Sequence, residues 1–308
     1  MPVQPAQRDA GTLFERVSPV STHKTNRDEV LLRTWWRSAP DRFTVTAEWP
    51  AAHPFYVSRL GLRDPLLLSE TVRQTLPLLS HAAYRVPEGH QLLWKDFDWV
   101  MDPGAALADG SPAGLELHIT CEDVKYRRDR ASAISLHVDV ERDGRPLAAA
   151  RTRFTIQDRT VYNRLRGRYA DAAAATAQAV PLPPPAGRSR FGRDRFEDVV
   201  LAATDQPGRW QLRVDPAHPV LFDHLVDHVP GMLLLEGARQ AALATAHPAP
   251  TAVVGMDSAF VRYAELDAPC WLEVEGSPES GTVRVSARQH DQEIFHSTVT
   301  LIPVPATA

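Results

Sequence analysis

The sequence predicts an α+β chain made of two copies of one unit, each a long central helix wrapped by a curved antiparallel sheet. Three observations carry this reading: a length of 308 residues that suits two cores, a motif pair repeated at near-constant spacing, and alternating apolar runs that follow one long helix in each half. The composition, 44% hydrophobic and 23% charged, excludes wholesale disorder and collagen-like or coiled-coil architectures.

The repeat is explicit. His53-Pro54 and His218-Pro219 lie 165 positions apart, while the groups Glu70-Thr71-Val72-Arg73-Gln74 and Glu236-Gly237-Ala238-Arg239-Gln240 lie 166 apart. One extra residue, most simply Gly231, accounts for the difference. Alternating residues over 43–49 and 210–214 read as strand before each helix. After it, period-2 runs cover 92–99, 115–120, 134–140 and 147–156 in the first half, and 252–260, 271–275, 282–287 and 294–302 in the second. Asp143-Gly144 marks a tight hairpin turn, and Asp291-Gln292 occupies the matching place. The organisation expected is an arm over 1–25, a first repeat over 26–166, a linker over 167–190 rich in alanine and proline, and a second repeat over 191–308.

Charge and cysteine usage narrow the function. Thirty-four Lys and Arg against 38 Asp and Glu give a net charge of -4, which argues against a nucleic-acid coat or an anionic-membrane binder. Cys121 and Cys270 are too few for a disulfide framework and read as inert strand residues. No signal-like or membrane-length apolar run occurs, so a cytoplasmic protein is expected. The histidines show no metal-ligand spacing, and no glycine-rich phosphate loop is present, so neither metal nor nucleotide cofactor is expected.

The second-half helix, 232–244, is apolar nearly all round and must be buried. Within it Glu236, Arg239 and Gln240 stand at i, i+3 and i+4 and share a face. Two readings compete. Either Glu236 and Arg239 form an ion pair, within the helix or with the counterpart half, or the face opens on a cleft where an apolar setting raises the carboxyl pKa and fits it for acid–base work. Bland readings suit other features. His53 and His218 cap strand ends, Asp227 and His228 orient a loop, and Trp35-Trp36 is core, an arm-docking surface or a tunnel lining.

The helix start Pro230-Gly231-Met232-Leu233-Leu234-Leu235-Glu236, with Gln240, resembles the hot-dog fold of acyl-thioester enzymes such as hydroxyacyl carrier-protein dehydratases. His224 stands two residues closer to the proline than the dehydratase histidine, and Arg239 replaces a small residue. From about Asn26 to Pro303 the double arrangement more specifically resembles the A-factor synthase (AfsA) family. The residues that carry this are 43–50, Asp64-Pro65-Leu66-Leu67 with Glu70 to Gln74, and Asp227-His228-Val229-Pro230-Gly231-Met232 with Glu236 and Arg239-Gln240. The resemblance implies a double hot-dog acyltransferase. It would move a β-ketoacyl chain from acyl carrier protein to the hydroxyl of dihydroxyacetone phosphate, toward a butenolide phosphate and a γ-butyrolactone-type or furan signal.

Such a reaction needs a base, donors for an oxyanion and positive charge for a phosphate. Glu236, with its pKa raised, is the expected base and His224 an alternative or relay. First-turn amides at Gly231 and Met232 are the expected oxyanion hole. Arg239 is expected to hold the phosphate, aided by Lys125, Arg127 and Arg128, whose basic turn is otherwise solvated or docks the acidic carrier. Gln240 and, in the first copy, Arg73 complete the substrate contacts. Glu70 is either a second carboxylate of the site or structural, and Arg59 falls where His224 would. Dehydration or thioester hydrolysis is the competing enzymatic reading, and a non-catalytic acyl- or lactone-binding regulator the third.

Overall fold

The computed structural model describes residues 14–305. The first repeat runs β1 (Glu15–Arg16), β2 (Leu32–Ala39), β3 (Arg42–Trp49), α1 (Leu66–Leu78), β4 (Gln91–Met101), β5 (Ala113–Arg127), β6 (Arg130–Arg142) and β7 (Arg145–Gln157). Helices α2 (Arg159–Arg166) and α3 (Ala172–Ala177) follow. The second repeat runs β8 (Leu201–Ala203), β9 (Arg209–Leu212), α4 (Gly231–Ala246), β10 (Thr251–Phe260), β11 (Trp271–Glu275), β12 (Thr282–Gln289) and β13 (Gln292–Pro303).

All thirteen strands join one antiparallel sheet in the order β1-β2-β3-β5-β6-β7-β4-β10-β13-β12-β11-β9-β8. Leaving β1 aside, the order reads the same from either end, so the halves are related by a pseudo-two-fold through the β4–β10 pair, where Trp99 faces Met256. This is the expected α+β double hot-dog. The first repeat has two strands more than the alternation showed, β1 and β2, and the second has one, β8; β2 and β8 have mixed burial that a period-2 reading passes over.

The chemistry of each element explains its place. Strand β5 alternates buried Leu115, Leu117, Ile119 and Cys121 with more exposed neighbours, which turns one face onto the core. Asp143-Gly144, both at positive φ, makes the two-residue β6–β7 turn. The matching β12–β13 turn is His290-Asp291, one residue earlier than expected, and both are again at positive φ. Helix α4 packs tightly on the sheet at Gly237, where a Cβ would stand 2.9 Å from Leu212 and 3.0 Å from Leu272.

The stretch expected to link the repeats is packed rather than extended throughout. Asp171 caps α3 by accepting from Ala173 and Ala174 N–H. Helix α2 docks on the second repeat. Tyr162 and Arg166 donate to Asp227, and Arg166 also pairs with Glu265 at 2.6 Å. Cys121 and Cys270 are buried and unpaired, and burial pushes their thiols up to about 11 and about 12. Among the described residues no helix is long and apolar enough to cross a membrane.

Candidate active site

The two polar groups on α1 and α4 form the same clamp twice. Glu236 is fully buried and accepts from Arg239 Nε and Nη2, each at 2.8 Å, and from Gln240 Nε2 at 2.5 Å. A further guanidinium arrives from outside the helix: Arg193 Nε donates to Glu236 at 2.8 Å. In the first repeat Glu70 accepts from Arg73 Nε and Nη2 and from Gln74 Nε2, and Lys24 Nζ stands 3.1 Å away. Lys24 and Arg193 are 169 positions apart, as are Glu29 and Asp198, and Leu31 and Val200. Gln74 accepts from Leu31 N–H and donates to the Glu29 carbonyl; Gln240 does the same with Val200 and Asp198. The repeat therefore begins upstream of Asn26, within the expected arm, of which residues 1–13 lie outside the described residues.

These clamps reverse the expected electrostatics. Burial alone would raise the Glu236 carboxyl, but the Arg193 and Arg239 guanidiniums and their hydrogen bonds hold it down at about 2. Glu70 is likewise held at about 2, by Arg73 and Lys24 against burial. A carboxylate so low, with its oxygens already engaged, is no base near neutral pH. Of the two readings of this face, the ion pair within the helix is the one that forms, and the raised-pKa expectation for Glu236 is corrected. Arg193 extends the second clamp across the repeats, donating through Nη1 to Asp64 at 2.8 Å and to the Phe55 carbonyl.

Arg239 nevertheless faces open space. A cavity of about 290 Å³ lies between the repeats, lined by Arg59, Arg63 and Asp64 of the β3–α1 loop, Arg190 and Gly192 of the segment before β8, Arg239 and Leu243 along α4, and His247 just past its carboxyl end. Met101, Val253 and Val254 supply apolar wall. Arg239 spends Nε and Nη2 on Glu236, and no described residue accepts from its Nη1. A Cβ on Gly192, at φ +66°, would stand 3.4 Å from that Nη1, 3.7 Å from Arg59 Cδ and 3.2 Å from Leu243. The bare glycine thus keeps the space between two guanidinium-bearing side chains open. Arg59 pairs with exposed Asp194 at 2.8 Å, a contact an entering anion can replace. Asp64 is the one acid of the lining and is already matched by Arg193. Four arginines against one acid give the lining a net positive charge.

Comparison with known proteins fixes the family. The A-factor biosynthesis hotdog domain matches residues 6–158 and again 174–305. The chain belongs to that family. Similar members include 2-oxo-3-(phosphooxy)propyl 3-oxoalkanoate synthases from Streptomyces virginiae, 44% identical over 89% of this chain and 93% of the relative, and from Streptomyces coelicolor, 40% identical over 94% of each. Two solved structures share the fold at low identity. They are a 12:0-ACP thioesterase from Umbellularia californica (8% identity, 84% of this chain and 97% of the other, TM-score 0.52) and an acyl-ACP thioesterase from Bacteroides thetaiotaomicron (11%, 84% and 98%, TM-score 0.50).

Within this family member, several expected site residues lie elsewhere. His224, expected as base or relay, sits beside Asp223 and does not line the cavity. Burial and then the charge of Arg73 lower its pKa, which places it with the first-repeat clamp. Gly231 and Met232 begin α4, and the cavity lies along its carboxyl half, on the order of 12–18 Å away by helical rise. Gly231 instead admits aromatic rings: its Cβ would stand 2.9 Å from Trp94 and 3.2 Å from Phe260, which stack on each other. Trp94 and Phe260 therefore flank the start of α4, where the oxyanion hole was expected. Lys125, Arg127 and Arg128 lie at the exposed β5–β6 turn and line no part of the cavity.

The bland readings can be placed too. His53 and His218 cap the turns after their prolines, each accepting two backbone N–H groups through Nδ1. Asp227 holds its loop to α2 and pairs with His228 at 2.6 Å, its own pKa lowered to about 2. Trp35 is buried, and Trp36 packs edge-on against Phe14 of the arm. Four cavity groups, Arg59, Arg63, Arg190 and His247, escaped assignment. The one signal for them was positional, since Arg59 occupies the His224 place in the repeat.

Proposed function

We propose that this chain transfers a β-ketoacyl group from a thioester to the free hydroxyl of dihydroxyacetone phosphate, the activity for which its Streptomyces relatives are named. The product is a 2-oxo-3-(phosphooxy)propyl 3-oxoalkanoate, a precursor of butenolide phosphates and γ-butyrolactone-type signals. The observation that carries the reading is the guanidinium-lined cavity between the repeats, which offers an anion seat beside an apolar wall.

In this reading Arg239 Nη1, Arg59 and Arg190 take the phosphate, and Met101, Leu243 and Val254 flank the acyl chain. Glu236 acts indirectly. With Arg193 and Asp64 it forms a chain that fixes the Arg239 fork, a positioning role rather than a proton-accepting one. The same cationic lining favours the negative charge of the tetrahedral intermediate. Glu70 and Arg73 carry the matching structure in the first repeat without a place in the reaction. Acyl carrier protein is the acyl donor we infer, met at the rim by exposed Arg188 and Arg190, whose charge complements an acidic carrier.

The test is mass-spectrometric analysis of product from a β-ketoacyl thioester with and without dihydroxyacetone phosphate. A phosphorylated ester formed only when both are present is expected. Free β-keto acid released at the same rate without the phosphate would instead identify a thioesterase.

A further inference from the structure

Once Glu236 is tied up by guanidiniums, the reaction lacks a group to take the hydroxyl proton. The titratable side chains lining the cavity are Arg59, Arg63, Asp64, Arg190, Arg239 and His247. The four arginines hold their protons at any working pH. Asp64 accepts from Arg193 and from the Leu66 N–H and is itself buried. Imidazole is the remaining chemistry in the cavity that can accept and return a proton near neutrality.

His247 is placed for it. It stands at the carboxyl end of α4, on the face that carries Arg239 and Leu243 at four-residue intervals, and no described residue hydrogen-bonds either ring nitrogen. Its counterpart 166 positions earlier, His81, is committed at both nitrogens. Nδ1 meets the Val86 carbonyl at 2.8 Å and so carries the proton, which leaves Nε2 to accept from His23 Nε2 at 2.9 Å. Between Arg239 and His247 the helix advances about 12 Å. Both side chains line the one cavity, so a three-carbon unit with a phosphate at one end and a hydroxyl at the other can lie between them.

We propose that His247 is the general base of this site, a reading that rests on the transferase function above. The hydroxyl proton passes to an imidazole nitrogen while the hydroxyl oxygen bonds to the thioester carbonyl carbon, sending the C=O π pair onto the carbonyl oxygen. Collapse restores the carbonyl and expels the thiolate, which takes the proton back from the imidazolium. The α4 carboxyl terminus, with its partial negative charge, favours the transient cation.

The experiment is steady-state kinetics of His247→Gln across pH, with a β-ketoacyl thioester and dihydroxyacetone phosphate, alongside the thermal shift the phosphate alone produces. His247 is exposed, so the variant is expected to fold. The expected result is a kcat about 100-fold lower or more, with loss of the acidic limb of the rate profile and an unchanged phosphate-induced shift. A kcat within a few fold of the parent, with the acidic limb retained, overturns His247 as base while leaving the transferase reading standing. Absence of phosphorylated ester from the parent protein overturns both.

Discussion

The two repeats carry one clamp and differ in what surrounds it. Around Arg239, position 192 is glycine, position 243 is leucine and His247 is unbonded, and the guanidinium meets a cavity. At the corresponding first-repeat positions stand His23, Pro77 and His81, and the two imidazoles bond each other beside Arg73. His23 and Gly192 share a positive φ, 53° and 66°, so the backbone is conserved and only the side chain differs. The comparison teaches that a buried Glu-x-x-Arg-Gln group is first a structural device of this fold. We propose that it becomes a binding device where neighbouring residues leave the guanidinium an open face.

The largest expected effect lies in the clamps themselves. Glu236→Ala leaves buried Arg239 without its anion and Arg193 with Asp64 alone, and is expected to cost about 3–5 kcal/mol in denaturant unfolding. Glu70→Ala should cost less, because Arg73 is 21% exposed against 5% for Arg239 and can turn toward water. Equal losses would erase the distinction between the repeats. Next is Arg239→Ala, expected to raise KM for dihydroxyacetone phosphate roughly 10- to 100-fold, as for a lost charged hydrogen bond, while Arg73→Ala leaves KM unchanged. Converting one repeat into the other is a third test. Gly192→His should fill the cavity and remove activity, with the unfolding midpoint lowered by a side chain at φ +66° whose Cβ stands 3.2 Å from Leu243.

The smallest effect is in pH. Glu236 and Glu70 are held near 2, below the ordinary 4.5, so each stabilises the fold above about pH 4.5 and loses that contribution as pH falls toward 2. His23 differs. Burial, then His81 and Arg73, lower its pKa from 6.5 to about 4, so its protonation begins to favour unfolding as pH drops below 6.5. Stability measured against pH should therefore show a decline below 6.5 that His23→Gly reduces, with His224, also lowered by burial and Arg73, supplying the remainder.

The fold was legible because a repeat preserves spacing: the two helices, the hairpins and the Glu-Arg-Gln faces all followed from offsets of 165 and 166. The clamp's last member was not legible. The offset becomes 169 upstream of the His-Pro pairs, and a lone Lys24 matched to a lone Arg193 makes no motif. The direction of the Glu236 shift failed for the same reason. An apolar helix argues for a raised carboxyl pKa only while no guanidinium enters from another segment. The cavity escaped because Arg59, Arg190 and His247 come from three separate stretches that only the pseudo-two-fold packing brings together.

The most direct measurement is a crystal structure with dihydroxyacetone phosphate bound. Phosphate density between Arg59 and Arg239, with the free hydroxyl toward His247, is the expected result. Phosphate seated against Arg73 and His224 in the first repeat, or at the Gly231 end of α4, would contradict it.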